Sequence, residues 1–152
     1  MLNFAYCSDK YQYTMGKSFY DSGMKDQHAV FNMFYRKAPE NNNWAVVSGV
    51  DEVIEMIENL GNMDPSFFEK FLPGEEYAEF RGYLSAMKFT GTVYAMREGE
   101  IVFPNQPIII VEGPLIEAQV LETSMLCIMN HQMAVATKAS RVCRATNRPV
   151  SE

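Results

Sequence analysis

The sequence predicts an α+β fold, an antiparallel sheet with helices packed against it. Three observations carry that prediction. Amphipathic stretches of helical period occupy much of the first ninety or so residues. Residues 27–37 and 89–113 change to a period of two, rich in β-branched and aromatic side chains between Gly and Pro turns. A run of about thirty residues without Gly or Pro then follows Pro114. A chain of 152 residues is long enough to bury one substantial core.

The first helix is expected from Asp9 to about Tyr20, N-capped by Ser8 or Asp9 and closed by Gly23 as its C′ residue. Tyr11, Met15 and Phe19 recur at i, i+4 and mark its packing face. Residues 27–37, QHAVFNMFYRK, read as a strand. Phe31, Met33 and Tyr35 face one side, and Val30, Asn32, Phe34 and Arg36 the other. A polar loop, APENNN, leads to Trp44. Ser48-Gly49-Val50 opens a helix to Leu60, with Val50, Val53, Ile54 and Ile57 inward and Glu52, Glu55 and Glu58 outward. Pro65 suits the first position of a short helix over 64–72, which Pro73-Gly74 ends. EEYAEFRGYLSAM gives another helix, carrying Tyr77, Phe80, Tyr83 and Leu84.

FTGTVYAMREG, EIVFPNQP and IIIVEGP then read as three short strands expected to form one antiparallel sheet. The helical run after Pro114 is apolar on more than one side through Met129, which suits a buried helix or a dimer-interface helix. Asn130-His131-Gln132 marks a place for it to break or bend. Pro149-Val150 reads as the entry to a further strand. No repeat, low-complexity tract or linker interrupts the chain.

Composition narrows the function classes. The formal net charge is −6, which argues against wholesale nucleic-acid binding. The charge is uneven: Lys138, Arg141, Arg144 and Arg148 face only Glu152 after residue 122. That basic end is either an anion site or a solvated helix face. Eleven Met and eighteen Phe plus Tyr suggest that some apolar surface is covered by a partner. Cys7, Cys127 and Cys143 show no disulfide or metal-ligand spacing, so a reducing, cytoplasmic compartment is expected. Asp9 and Lys10 interrupt any signal-peptide core, and Glu112, Glu117 and Glu122 break the most apolar region, so no membrane span is expected.

No phosphate loop, nucleophile elbow or zinc motif is present. Most acids lie on outer helix faces, and His131 in its apolar helix reads as a core histidine. Three features remain as binding candidates. Tyr11 at a helix N-terminus is either core packing or a ring that stacks on a flat heteroaromatic beside free N–H donors. Arg36 at the end of an aromatic strand is either a surface charge or a planar grip on phosphate. Lys138, Arg141 and Arg144 recur every three residues on one helix face.

DKYQYTM, AVFNMFYRKAP, FTGTVYAMREGEIVFPNQPIIIVEGPLIEAQVLET and ATKASRV, in that order, resemble the N-terminal part of nicotinate phosphoribosyltransferases. The long third block is the most specific, and residues 50–86 match only in character. The resemblance implies transfer of phosphoribose from phosphoribosyl pyrophosphate to nicotinate, giving nicotinate mononucleotide and pyrophosphate. It implies ATP with Mg, and a homodimer with shared active sites. It also implies an N-terminal α+β domain, here 1–142, with 143–152 beginning the crossover into an α/β barrel. That barrel holds a phosphorylated histidine, whose position neither His28 nor His131 occupies, so no catalytic residue and no metal ligand is expected in this chain. By the same resemblance Tyr11 stacks on the pyridine ring and Arg36 contacts phosphate, both in the partner's site. Asp9 caps and orients Tyr11's turn, and Thr137, Lys138 and Arg141 match a TKAAR-like segment of the family. The alternatives are a non-catalytic dimerisation module, or a nicotinamide phosphoribosyltransferase, which shares the Asp-x-Tyr and strand-end Arg features.

Overall fold

The first helix, α1 (Lys10–Asp21), ends as its sequence dictates. Gly23 takes φ +69°, and the N–H groups of Gly23 and Met24 donate to the carbonyls of Tyr20 (3.1 Å) and Phe19 (2.9 Å). These two bonds close a Schellman turn that a Cβ at the left-handed position would strain. The helix belongs to a computed structural model that describes residues 7–37, 43–62 and 64–146. The loop over 38–42 and the strand entry at Pro149-Val150 lie outside the described residues.

The face that α1 buries differs from the expected one. Gln12, Tyr13 and Gly16 are inside, whereas Tyr11 and Met15 remain 46% and 42% exposed. Phe19 is half-buried against the core. The stripe is rotated by one residue, about 100° of helix, because the closest approach is made at a glycine. A Cβ on Gly16 would stand 3.1 Å from Phe80 Cζ, so this side alone lets the helix settle onto its neighbours. The Tyr13 ring then inserts edge-on against Phe67, Phe68 and Phe71.

Five strands follow in chain order: β1 (His28–Met33), β2 (Ala45–Val46), β3 (Thr92–Ala95), β4 (Ile101–Val102) and β5 (Ile109–Pro114). β5 is the centre of a three-stranded antiparallel sheet ordered β1-β5-β3. β4 leaves that sheet and pairs with β2. The three strands expected to form one sheet therefore split between two. β4 is only two residues long, and the turn that follows it puts Asn105 at φ +65°. The alternation read along residues 30–36 holds: Phe31, Met33 and Tyr35 point inward and Val30, Asn32, Phe34 and Arg36 outward.

The second helix, α2 (Val50–Glu58), buries Val50, Val53 and Met56 and leaves Ile54 43% exposed, a correction to the expected inward set. Its N-terminus is capped from a distance, since Glu98 Oε1 accepts from the N–H groups of Gly49 (2.8 Å) and Val50 (2.6 Å). The short helix α3 (Pro65–Phe71) starts as Pro65 requires, with Asp64 Oδ1 accepting from Ser66 N–H at 2.9 Å. That bond holds the Asp64 carboxyl below its ordinary pKa. A 3-10 turn (Glu75–Tyr77) leads into α4 (Ala78–Ala86).

The last helix, α5 (Leu115–Thr146), organises the molecule. It passes through Asn130-His131-Gln132 without a break, and His131 is exposed rather than in the core. It contacts α1, α2, β1, β2 and β5. The first two turns are buried on every side from Ile116 to Leu121; later only one stripe is, through Ser124, Met125, Ile128, Met129, Met133 and Thr137. Each fully buried large aliphatic here, such as Ile116, Leu121 or Met129, is worth about 1.5–3 kcal/mol relative to exposure. Glu117 is buried as well, accepting from Thr90 N–H (2.7 Å) and Thr90 Oγ1 (3.0 Å). The domain edge drawn at residue 142 falls inside this helix.

Candidate functional site

The N-terminal end of α1 rests on α5 through buried polar contacts. Gln12 Nε2 donates to the Gln119 carbonyl (3.1 Å) and reaches Glu122 Oε2 (3.4 Å), while Ser8 Oγ donates to Gln12 Oε1 (2.6 Å). With Gln12 fully buried, its neighbour Tyr11 is turned outward. Asp9 sits at the N-cap position in extended conformation, yet its carboxylate makes no capping bond. It faces Thr123 Oγ1 at 3.5 Å, so the turn is fixed to α5 rather than capped by Asp9.

Arg36 lies beyond the end of β1, in a segment held from both sides. The Tyr35 carbonyl accepts from Asn105 N–H (2.9 Å), and Tyr35 Oη donates to the Val102 carbonyl (2.9 Å). Burial raises the Tyr35 phenol above its ordinary pKa and keeps that hydroxyl a donor. Between this segment and α5 runs a cleft of about 470 Å³. Phe31, Phe34, Arg36 and Lys37 line one wall, and Ala118, Glu122, Met125, Leu126 and Asn130 the other. Two cations therefore stand at one wall and one carboxylate at the other. Glu122 belongs to both places: it lines the cleft with Arg36 and meets Gln12 beneath Tyr11's turn.

The remaining candidates lie further along α5. Thr137 is buried, and its Oγ1 accepts from Val46 N–H at 2.9 Å, which anchors β2 to the helix. The Arg141 guanidinium sits 5.8 Å from the Trp44 ring centroid. Lys138 is exposed on the same stretch. None of the three lines the cleft beside Arg36. Glu122, Lys37 and Asn130 also line the cleft but carry no binding motif in the sequence. Glu122 read only as a charge interrupting an apolar run; the signal available was its spacing of one turn from Gln119 on the face that receives Gln12.

Magnesium asks for several oxygen ligands in octahedral array. Among the described residues no three acidic, His or Cys side chains converge, and Glu122 is the single carboxylate of the cleft. These residues do not build a Mg–ATP site. No described helix is long and apolar enough to cross a membrane.

The fold and the cleft define an α+β domain with an exposed ring on one helix end and a guanidinium in a neighbouring cleft. Residues 7–130 match the family model of the nicotinate phosphoribosyltransferase N-terminal domain. The nicotinate phosphoribosyltransferase of Bacillus subtilis is 41% identical over 137 residues, which are 89% of this chain and 28% of that protein. The Dictyostelium discoideum enzyme of the same name is 37% identical over 88% of this chain and 23% of its own length. The crystal structure of human nicotinic acid phosphoribosyltransferase superposes with a TM-score of 0.82 at 30% identity, over 95% of this chain and 29% of that one. The structure of a nicotinate-nucleotide pyrophosphorylase from Pyrococcus furiosus shares the fold, with a TM-score of 0.70 at 21% identity. The chain belongs to the nicotinate phosphoribosyltransferase family and corresponds to its N-terminal domain. It spans under a third of the length of these relatives. Thr137, Lys138 and Arg141 fall outside the residues matched by the family model.

Proposed function

We propose that this domain serves a cytoplasmic nicotinate phosphoribosyltransferase of NAD synthesis, lending Tyr11 and Arg36 to a site completed by the rest of the enzyme on a second subunit. In that reaction the pyridine nitrogen of nicotinate forms a bond to C1 of phosphoribosyl pyrophosphate. The C1–O bond breaks, and its electron pair leaves on pyrophosphate, with ATP hydrolysis coupled to the overall transfer. The observation that carries the reading is Tyr11, a ring 46% exposed on a helix whose buried face does without it. A flat, electron-poor pyridine gains from stacking on such a ring. The Arg36 fork supplies fixed positive charge where negative charge develops on a phosphate group.

The test uses an enzyme in which this domain is joined to a C-terminal portion of the kind its relatives carry. Arg36→Ala should raise the KM for phosphoribosyl pyrophosphate by about tenfold or more, as loss of a charge-assisted bond worth about 1.5–3 kcal/mol requires. Arg36→Lys should recover only part of it, because an ammonium keeps the charge and loses the fork. An Arg36→Ala enzyme with unaltered kinetics would remove Arg36 from the site.

A second reading, a non-catalytic association module, is favoured by the outer face of the β1-β5-β3 sheet. Val30 and Tyr94 are more than half exposed there, flanking β5. Self-association in sedimentation, with no binding of nicotinate or phosphoribosyl pyrophosphate even to the longer protein, would favour that reading. Preference of the longer enzyme for nicotinamide over nicotinate would instead favour the sister activity.

A further inference from the structure

The geometry points to a modification site that the proposed function does not use: Cys7 and Cys127 form an intramolecular disulfide when the chain meets a disulfide oxidant. The segment before α1 runs along α5 by two contacts. Ser124 Oγ donates to the Cys7 carbonyl at 2.8 Å, and Thr123 Oγ1 faces Asp9 at 3.5 Å. Cys127 follows these residues by three and four positions, so its side chain stands about 5–6 Å along the same helix face. The contacts run from Asp9 at Thr123 to Cys7 at Ser124, which carries the chain toward the turn holding Cys127. Both thiols are free, Cys127 is exposed, and Cys7 is partly covered. Burial, and then the charge of Cys127 close by, push the Cys7 thiol above its ordinary pKa. Cys143 lies sixteen residues further along the same unbroken helix, roughly 24 Å away, and is out of reach.

The chemistry is exchange with a small disulfide such as oxidised glutathione. The exposed Cys127 attacks as thiolate, forming a mixed disulfide and releasing one glutathione thiolate. Cys7 then attacks the Cys127 sulfur, closing the protein disulfide and releasing the second. The two protein thiols give up two electrons and two protons, and oxidised glutathione is reduced to two glutathione thiols. The bond closes two residues before Asp9 and four before Tyr11, so it fixes on α5 the segment that enters α1.

The test treats the native 152-residue chain with oxidised glutathione and maps peptides by mass without reduction. The expected product joins the Cys7 and Cys127 peptides, with a mass lower by the two hydrogens lost and restored by dithiothreitol. Under the same treatment Cys7→Ser should hold glutathione on Cys127, and Cys127→Ser should leave Cys7 a thiol. The inference is overturned if the parent chain stops at glutathionylated Cys127, or if Cys127 pairs with Cys143 or with a second molecule. This readout is independent of nicotinate chemistry, so its failure and failure of the proposed function are separable.

Discussion

Tyr13, two positions from the ring proposed to stack, shows how differently neighbours on one turn are used. Its ring is fully buried among Phe67, Phe68 and Phe71, and among the described residues its hydroxyl meets no hydrogen-bond partner at good geometry. The Ser8 hydroxyl close by gives its proton to Gln12, and its effect on the Tyr13 phenol is smaller than that of burial. An unsatisfied buried hydroxyl costs about 1–3 kcal/mol, so Tyr13→Phe should leave stability unchanged or raise it by about 1 kcal/mol in denaturant titrations. Burial also raises the Tyr13 pKa. The folded state then holds its proton where the unfolded chain has lost it, so stability is intact below about pH 10 and falls as pH rises beyond that. Tyr13→Phe should flatten that alkaline loss; an equally steep loss in the variant would assign it to other groups.

At the scale of elements, the long-range contacts decide what the sequence left open. Thr137 is joined to Val46 across ninety-one positions, and Thr137→Val keeps its volume while orphaning that N–H. The variant should lose about 1–3 kcal/mol of stability. Retained stability with a fall in turnover of the longer enzyme would instead give Thr137 a binding role. Much of this fold was legible because it is locally encoded. Gly23, Pro65 and the alternation from Val30 to Arg36 each state their structure within a few residues. The rotation of α1 was not legible, because it depends on Phe80 meeting Gly16 from another helix. Nor was the departure of β4 to β2, or the cap that Glu98 provides for α2, since both join segments distant in sequence. The same limit applies to the site. Tyr11 and Arg36 stand out as candidates from local pattern and resemblance, while Glu122, which links their surroundings, is visible only once α1 lies on α5.

For the whole molecule, the proposed reading sets the exposed apolar surface and the cleft against a second subunit. Val30, Tyr94, Ile101 and Phe103 leave apolar area in solvent, and the cleft offers one carboxylate with two cations. The 152-residue chain assayed by itself should therefore form no nicotinate mononucleotide. Turnover by it would mean that the chemistry lies within these residues. The central claim is that Tyr11 faces substrate rather than core, and the most direct test is the nicotinate KM of Tyr11→Ala in the longer enzyme. Ring burial and stacking together are worth about 1.5–3 kcal/mol, which predicts a rise of about tenfold or more. The thermal midpoint should stay nearly unchanged, because the side chain is already half in solvent. An unaltered KM with a large fall in Tm would contradict the account and return Tyr11 to packing.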